Sequence, residues 1–149
     1  MIRVFLDSSV LLAAVASLRG GSAFLLDGAQ QGRFEVCVSH LVLLEVERNV
    51  RKKLPTAALK RFHHLLETTP IQIVPSPTSE ELHLYQALIH EKDVPILAAA
   101  MRSGSAYLVT LDRRDFLTEK IRTARLSMRV VTPKQFFEEI SSDRPEEEM

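Results

Sequence analysis

Residues 1–12, Met1-Ile2-Arg3-Val4-Phe5-Leu6-Asp7-Ser8-Ser9-Val10-Leu11-Leu12, pass from a short apolar run through Asp-Ser-Ser into a second apolar run. This pattern predicts a buried strand, a polar turn and a helix start. Asp7 then lies at the C-terminal edge of the first strand. In an open α/β sheet, ligands bind in the crevice outside such strand ends, so a carboxylate there is a site candidate. Capping of the next helix by Asp7 or Ser8 is the plainer alternative. Both readings stand on this stretch alone.

Outward from residue 12, helical spacing over residues 9–18 is stopped by Gly20-Gly21, and Ser22 is placed to cap a helix that runs to Gln31 and terminates at Gly32. Residues 34–38 form a second strand, Ser39 opens a long helix to about Leu54, and residues 57–68 form another. A third strand at 71–74 precedes Thr78-Ser79-Glu80-Glu81, which has capping-box character and leads a helix to about Glu91. A helix at 96–103, ended by Gly104, is followed by a strand at 106–110, helical residues 114–124, a strand at 128–131 and a last helix at 133–140. Strands alternating with helices imply a parallel sheet covered on both faces. With no repeat and no linker, the expected organisation is one domain over residues 1–140 followed by an acidic, mobile tail at 141–149.

The chain of 149 residues is 46% hydrophobic and 26% charged, the profile of an ordinary globular domain large enough to bury a core. No signal-peptide pattern and no apolar run near eighteen residues occurs, so a cytoplasmic protein without membrane attachment is expected. Cys37, the single cysteine, sits in an apolar strand and reads as core filler. Net charge is zero, but Asp143, Glu146, Glu147 and Glu148 stand in the tail against Arg144 alone, so the remainder is mildly basic. Its basic residues gather at 48–53, at Lys60-Arg61, at Arg113-Arg114 and along 120–129. These clusters suit a polyanionic partner or are solvated helix faces.

Acids can now be placed on this frame. Asp112 follows the fourth strand, and strands one and four are plausible neighbours across a topological switch, which would join Asp7 and Asp112. A turn or cap role is the alternative for Asp112, and Asp115 reads by itself as a first-turn helix acid. Glu45, within Leu41-Val-Leu-Leu-Glu45-Val46, is poorly placed for free solvation and needs a partner. Glu47 has Arg51 four residues on and reads as half of a surface pair. Asp93 precedes a helix with Pro95 early in it, so it can cap, act as a ligand, or both. Four acids without matching basic residues in their own segments suit a divalent cation, and oxygen-only ligands favour Mg²⁺ or Mn²⁺. Such a cluster supports in-line displacement at phosphorus.

The sequence contains no Gly-rich nucleotide loop, and its histidines lack metal-ligand spacing. Few aromatics and no Trp argue against a base-stacking platform. A nucleic acid would instead be held through its phosphates.

Four segments together, Phe5-Leu-Asp7-Ser8-Ser9-Val10-Leu11, Val38-Ser39-His-Leu-Val-Leu-Leu-Glu45, Asp93-Val-Pro-Ile-Leu-Ala98-Ala-Ala100 and Leu108-Val-Thr110-Leu-Asp112-Arg-Arg-Asp115-Phe116, resemble the PIN-domain nucleases. Within that family they are most similar to the small VapC-type toxins of toxin-antitoxin pairs. The resemblance runs from the first strand to about Val131. It implies a PIN-like three-layer α/β/α sandwich around a parallel sheet of four or five strands. It also implies that Asp7, Glu45, Asp93 and Asp112 form the catalytic, Mg²⁺- or Mn²⁺-binding cluster, that Asp115 supports them, and that Ser8 or Thr110 is a polar neighbour. The implied activity is endoribonucleolytic, with RNA as substrate and an antitoxin protein as possible partner. His40, Pro95 and the acidic tail depart from the family pattern without removing an acid. The apolar helices around residues 41–50 and 59–66 suggest a homodimer or an antitoxin groove. Two other classes remain: a non-catalytic binding or scaffold protein on the same fold, and a phosphoaspartyl receiver or phosphatase domain. The second lacks the paired Asp after strand one and a Lys after a late strand.

Overall fold

The computed structural model describes residues 1–142; the expected acidic tail lies outside the described residues, apart from the end of the last helix. Strand β1 (Arg3–Leu6) leads into α1 (Ser8–Ala16) and α2 (Gly21–Gln30), then β2 (Glu35–Ser39), α3 (His40–Lys53), α4 (Ala57–Thr68) and β3 (Ile71–Val74). The second half comprises α5 (Ser79–Tyr85), α6 (Val94–Arg102), β4 (Tyr107–Val109), α7 (Glu119–Thr123), β5 (Arg129–Val131) and α8 (Pro133–Ser142). All five strands are parallel, in the order β3-β2-β1-β4-β5. Val4, Phe5 and Leu6 alternate between the two faces of β1, yet none is exposed. Helices therefore cover both faces, giving the expected α/β/α sandwich.

The strand order puts β1 at the point where the chain changes direction across the sheet. Phe5 lies beside Cys37 on one side and Leu108 on the other. The Asp7 amide continues the ladder by donating to the Val109 carbonyl at 3.0 Å, so the C-terminal ends of β1 and β4 are locked side by side. The expected adjacency of strands one and four is present. Cys37 is buried, as expected of core filler.

Local chemistry explains where the boundaries depart from expectation. α1 ends at Ala16 with Ser17 as its C-cap, short of the expected stop at Gly20-Gly21; the two glycines start α2 instead, and Ser22 is buried instead of capping. A Cβ on Gly21 would sit 3.4 Å from that of Pro133, which holds the start of α2 close to the start of α8. The helix expected to reach Glu91 ends at Tyr85, and residues 91–93 form a separate 3-10 turn. His90 organises that turn: its Nδ1 accepts from the Lys92 amide at 3.2 Å. The helix expected from residue 114 begins only at Glu119, where the Thr118 hydroxyl accepts from the Ile121 amide. Gly32 and Gly104 end their helices with φ of 75° and 70°, where a side chain would be strained. Among the described residues no single helix is long and apolar enough to cross a membrane.

Phe136 of α8 is fully buried and meets Phe34 and Tyr107 edge to face, both at 5.1 Å between ring centres. This aromatic cluster pins α8 onto the sheet. Phe136→Ala is predicted to destabilise the fold by about 3–5 kcal/mol through cavity formation and lost ring contacts. Leu84→Ala, at a side chain 70% exposed, should leave the denaturant midpoint nearly unchanged.

Candidate metal centre

The locked ends of β1 and β4 carry Asp7 and, three residues beyond β4, Asp112. Asp7 occupies the N-cap position of α1 but makes no side-chain cap bond. Its Oδ2 instead accepts hydrogen bonds from the Ser9 and Thr110 hydroxyls, both at 2.8 Å. Each hydroxyl is itself tied down: the Leu111 amide donates to Ser9 Oγ at 3.0 Å, and the Asp112 amide to Thr110 Oγ1 at 3.0 Å. Asp7 is thus a buried, oriented carboxylate, and the capping alternative fails. Thr110 is the polar neighbour the sequence proposed; Ser9, not Ser8, is the second.

Asp112 fills the turn role that was the alternative for it. Its Oδ1 accepts from the amides of Arg114 and Asp115 at 3.0 and 2.9 Å, and its carbonyl accepts from Phe116 and Leu117. These bonds wind residues 112–117 into a turn, so Asp115 is not a first-turn helix acid. The turn brings Asp115 back toward Asp112 and Asp93. One carboxylate oxygen from each of Asp93, Asp112 and Asp115 lies within 4.8 Å of the others. Charges that close repel by about 3 kcal/mol per pair at an effective dielectric near 20.

Asp93 reaches the cluster from the start of α6. It too sits at an N-cap without a side-chain cap bond, and Pro95 in the first turn has no N–H to offer. Its Oδ2 is buried with no hydrogen-bond partner. Burial, with Asp115, Asp112 and Asp7 nearby, raises its pKa to about 6 despite the opposing charge of Lys92.

Glu45 projects from α3, whose buried stripe is Val42, Val46 and Val50. Leu41 and Leu44 face outward, so the apolar segment around Glu45 is not all core. Glu45 Oε1 is nevertheless buried without a partner. Burial and the charge of Asp7 raise its pKa, while Lys92 and Arg48 oppose the rise. Glu47 pairs with Arg51 at 3.1 Å, as its spacing predicted. One basic residue was not anticipated: Lys92 Nζ lies 3.8 Å from Asp115 Oδ2, at the rim of the acidic group.

Asp93, Asp112 and Asp115 meet within 4.8 Å, whereas Asp7 and Glu45 stand outside that trio; all five are oxygen donors, and Glu45 Oε1 and Asp93 Oδ2 are buried without a hydrogen-bond partner. A divalent hard cation fits that donor set, whereas an Arg or Lys at the buried oxygens is absent among the described residues.

The family profile for the PIN domain matches residues 3–114. The chain belongs to the PIN-domain family. The match spans Asp7, Glu45, Asp93 and Asp112 and ends just before Asp115. No curated protein sequence matches this PIN domain. Among solved structures it resembles a chain of VapBC2 from Rickettsia felis, bound there to a promoter DNA fragment, with 16% identity and a TM-score of 0.60 over 87% of this chain and 97% of that one. A toxin-antitoxin complex from Klebsiella pneumoniae gives 21% identity and a TM-score of 0.57 over 87% and 97% of the two chains. VapC20 of Mycobacterium tuberculosis, described as a sarcin-ricin loop cleaving toxin, gives 15% and 0.55 over 83% and 95%. At these identities the likeness is one of fold.

A raised acid pKa means that the folded PIN domain binds more protons than the unfolded chain between pH 4 and 6. Its metal-free stability therefore falls as pH rises through that window and stays low above it. Asp93→Asn is predicted to raise the metal-free melting temperature at pH 8 by about 3 °C, with a smaller gain at pH 5. Thermal melts in EDTA at the two pH values check this; an equal change at both would mean that Asp93 carries no folding-linked charge.

Proposed function

We propose that this PIN domain is a Mg²⁺- or Mn²⁺-dependent endoribonuclease and the toxin of a toxin-antitoxin pair. The observation that carries the reading is the close trio Asp93, Asp112 and Asp115, in which Asp93 Oδ2 is buried without a partner, as is Glu45 Oε1 on α3. Asp7, Glu45, Asp93 and Asp112 would hold the cation, with Asp115 supporting them. A divalent cation supplies Lewis acidity toward water and toward the oxygens of a phosphodiester.

The chain's own residues prepare that site. Ser9 and Thr110 fix Asp7 through Oδ2. The backbone turn fixes Asp112 through Oδ1. Neither carboxylate needs to reorganise on binding, which favours a rigid geometry at the reacting phosphate. Without a cation, burial and the neighbouring carboxylates favour a proton on Asp93 up to about pH 6.

The toxin assignment draws on the fold neighbours, several of which are toxins or toxin-antitoxin complexes. A cavity of about 710 Å³ between α1, α2 and α4, lined by Leu18, Leu26 and Leu65 and by Lys60, Arg61 and His64, supports a protein partner with apolar and acidic side chains. Exposed Leu41 and Leu44 on α3 support self-association.

Purified protein is predicted to cleave single-stranded RNA in Mg²⁺ or Mn²⁺, to lose activity in EDTA, and to lose about 1,000-fold in rate on Asp7→Asn or Asp112→Asn with the fold retained by circular dichroism. Expression of the wild type, but not of Asp7→Asn, should arrest growth of the host. Cleavage persisting in EDTA and in Asp7→Asn would refute the assignment, and phosphorylation of Asp7 by acetyl phosphate would point to a receiver domain.

A further inference from the structure

One basic side chain touches the acidic centre itself. Lys92 lies in the 3-10 turn Glu91–Asp93, directly before Asp93. Its backbone is fixed there: the Lys92 amide donates to His90 Nδ1 at 3.2 Å, and the Asp93 amide to the His90 carbonyl at 2.8 Å. From that turn the Lys92 stem crosses to the 112–117 turn, where Nζ lies 3.8 Å from Asp115 Oδ2. The ion pair therefore joins two segments that each supply acids to the centre, Asp93 from one and Asp112 with Asp115 from the other.

The reach of its charge is wider than that one contact. Burial raises the pKa of Asp93 and of Glu45, and Lys92 is the strongest influence opposing the rise at each, ahead of Arg48 at Glu45. One ammonium thus acts on Asp115, Asp93 and Glu45 together, as the charge of a bound cation would. The contact is nonetheless loose. The Lys92 side chain is 67% exposed, and 3.8 Å is longer than a hydrogen bond. Exposed pairs of this kind are weak. Lys92 also leaves the buried oxygens of Glu45 and Asp93 without a partner. A compact ammonium on a flexible four-carbon stem gives up such a contact with little loss.

We infer that Lys92 is a built-in counter-ion of the empty centre, one that holds Asp115 until a divalent cation displaces it and so sets how tightly that cation binds. The inference rests on the cation-site reading above and deepens it: the carboxylates decide that a cation fits, and Lys92 decides at what concentration it enters. In the empty protein the ammonium offsets repulsion among the carboxylates. In the loaded protein the same charge stands against the cation. Loss of the ammonium should therefore weaken the metal-free fold while tightening metal binding. A side chain that merely tied the 91–93 turn to the 112–117 turn would behave otherwise, because its loss would loosen the ligands and weaken both.

The test uses the full-length protein and Mn²⁺ alone, with affinity read from the paramagnetic resonance of the free ion and stability from thermal melts in EDTA. Lys92→Met is predicted to tighten Mn²⁺ binding about 5-fold near 0.1 M ionic strength, a gain that shrinks to about 2-fold near 1 M as the charge is screened. It should also lower the metal-free melting temperature by about 1–2 °C. Lys92→Gln should do the same, and Lys92→Arg, which keeps the charge, should stay within about twofold of wild type. Lys53→Met is the control: it removes a charge at the far end of α3, about 12 Å along the helix axis from Glu45, and should change affinity less than about twofold. Lys92→Met and Lys92→Gln that bind Mn²⁺ no tighter than wild type would overturn the inference, and weaker binding would make Lys92 a structural tie between the two turns. Equal tightening by Lys53→Met would also overturn it, reducing the effect to net charge. Wild type that binds no Mn²⁺ would refute the cation site itself, and this inference with it.

Discussion

Like charges held together at the end of a sheet are the constraint on which this molecule turns. Parallel pairing of β1 with β4 sets the ends of two strands side by side, and Asp7 and Asp112 follow from that register. The 112–117 turn and the start of α6 then add Asp115 and Asp93, and α3 adds Glu45. Burial and the neighbouring carboxylates work against the charged state of Asp93 and Glu45. Such a cluster persists only because the surrounding fold is stable enough to impose it, and a bound cation would convert the liability into a binding energy.

The frame that imposes it is stiff where stiffness matters. The central strand is buried on both faces, and Phe136 fastens the last helix against Phe34 and Tyr107. Two hydroxyls, Ser9 and Thr110, carry that rigidity into the site, each receiving a backbone amide and donating to the same Asp7 oxygen. Lys92 acts differently. Exposed at the rim, it offsets part of the charge on Glu45 and Asp93 without reaching their buried oxygens.

Much of this was legible in the residues. Period and cap signals located all five strands and the long helices, because apolar alternation and Gly termination are local effects. The acids were legible as a set because each sat where a lone carboxylate is awkward: at a strand end, in an apolar helix segment, or before a Pro-containing first turn. Asp115 was undervalued as a helix acid, since the Asp112-centred turn that redirects it depends on side-chain to backbone bonds. Ser9 was overlooked in favour of Ser8 because which hydroxyl faces Thr110 is decided by the pairing of β1 with β4. Lys92 was missed for a similar reason: its partner Asp115 is distant in sequence. The separate 3-10 turn at residues 91–93 is capped by the His90 side chain, an effect that periodicity does not register.

The central claim is that the acidic cluster is a divalent-cation site whose empty form retains a proton on Asp93. Calorimetric titration of Mn²⁺ into the full-length protein, in buffers of different ionisation enthalpy, tests both parts at once. Saturable binding is predicted, with a substantial fraction of a proton released per ion at pH 6 and close to none at pH 8. Binding should be strongly weakened by Asp93→Asn and by Glu45→Gln. No saturable binding, or binding unchanged in both variants, would contradict the account.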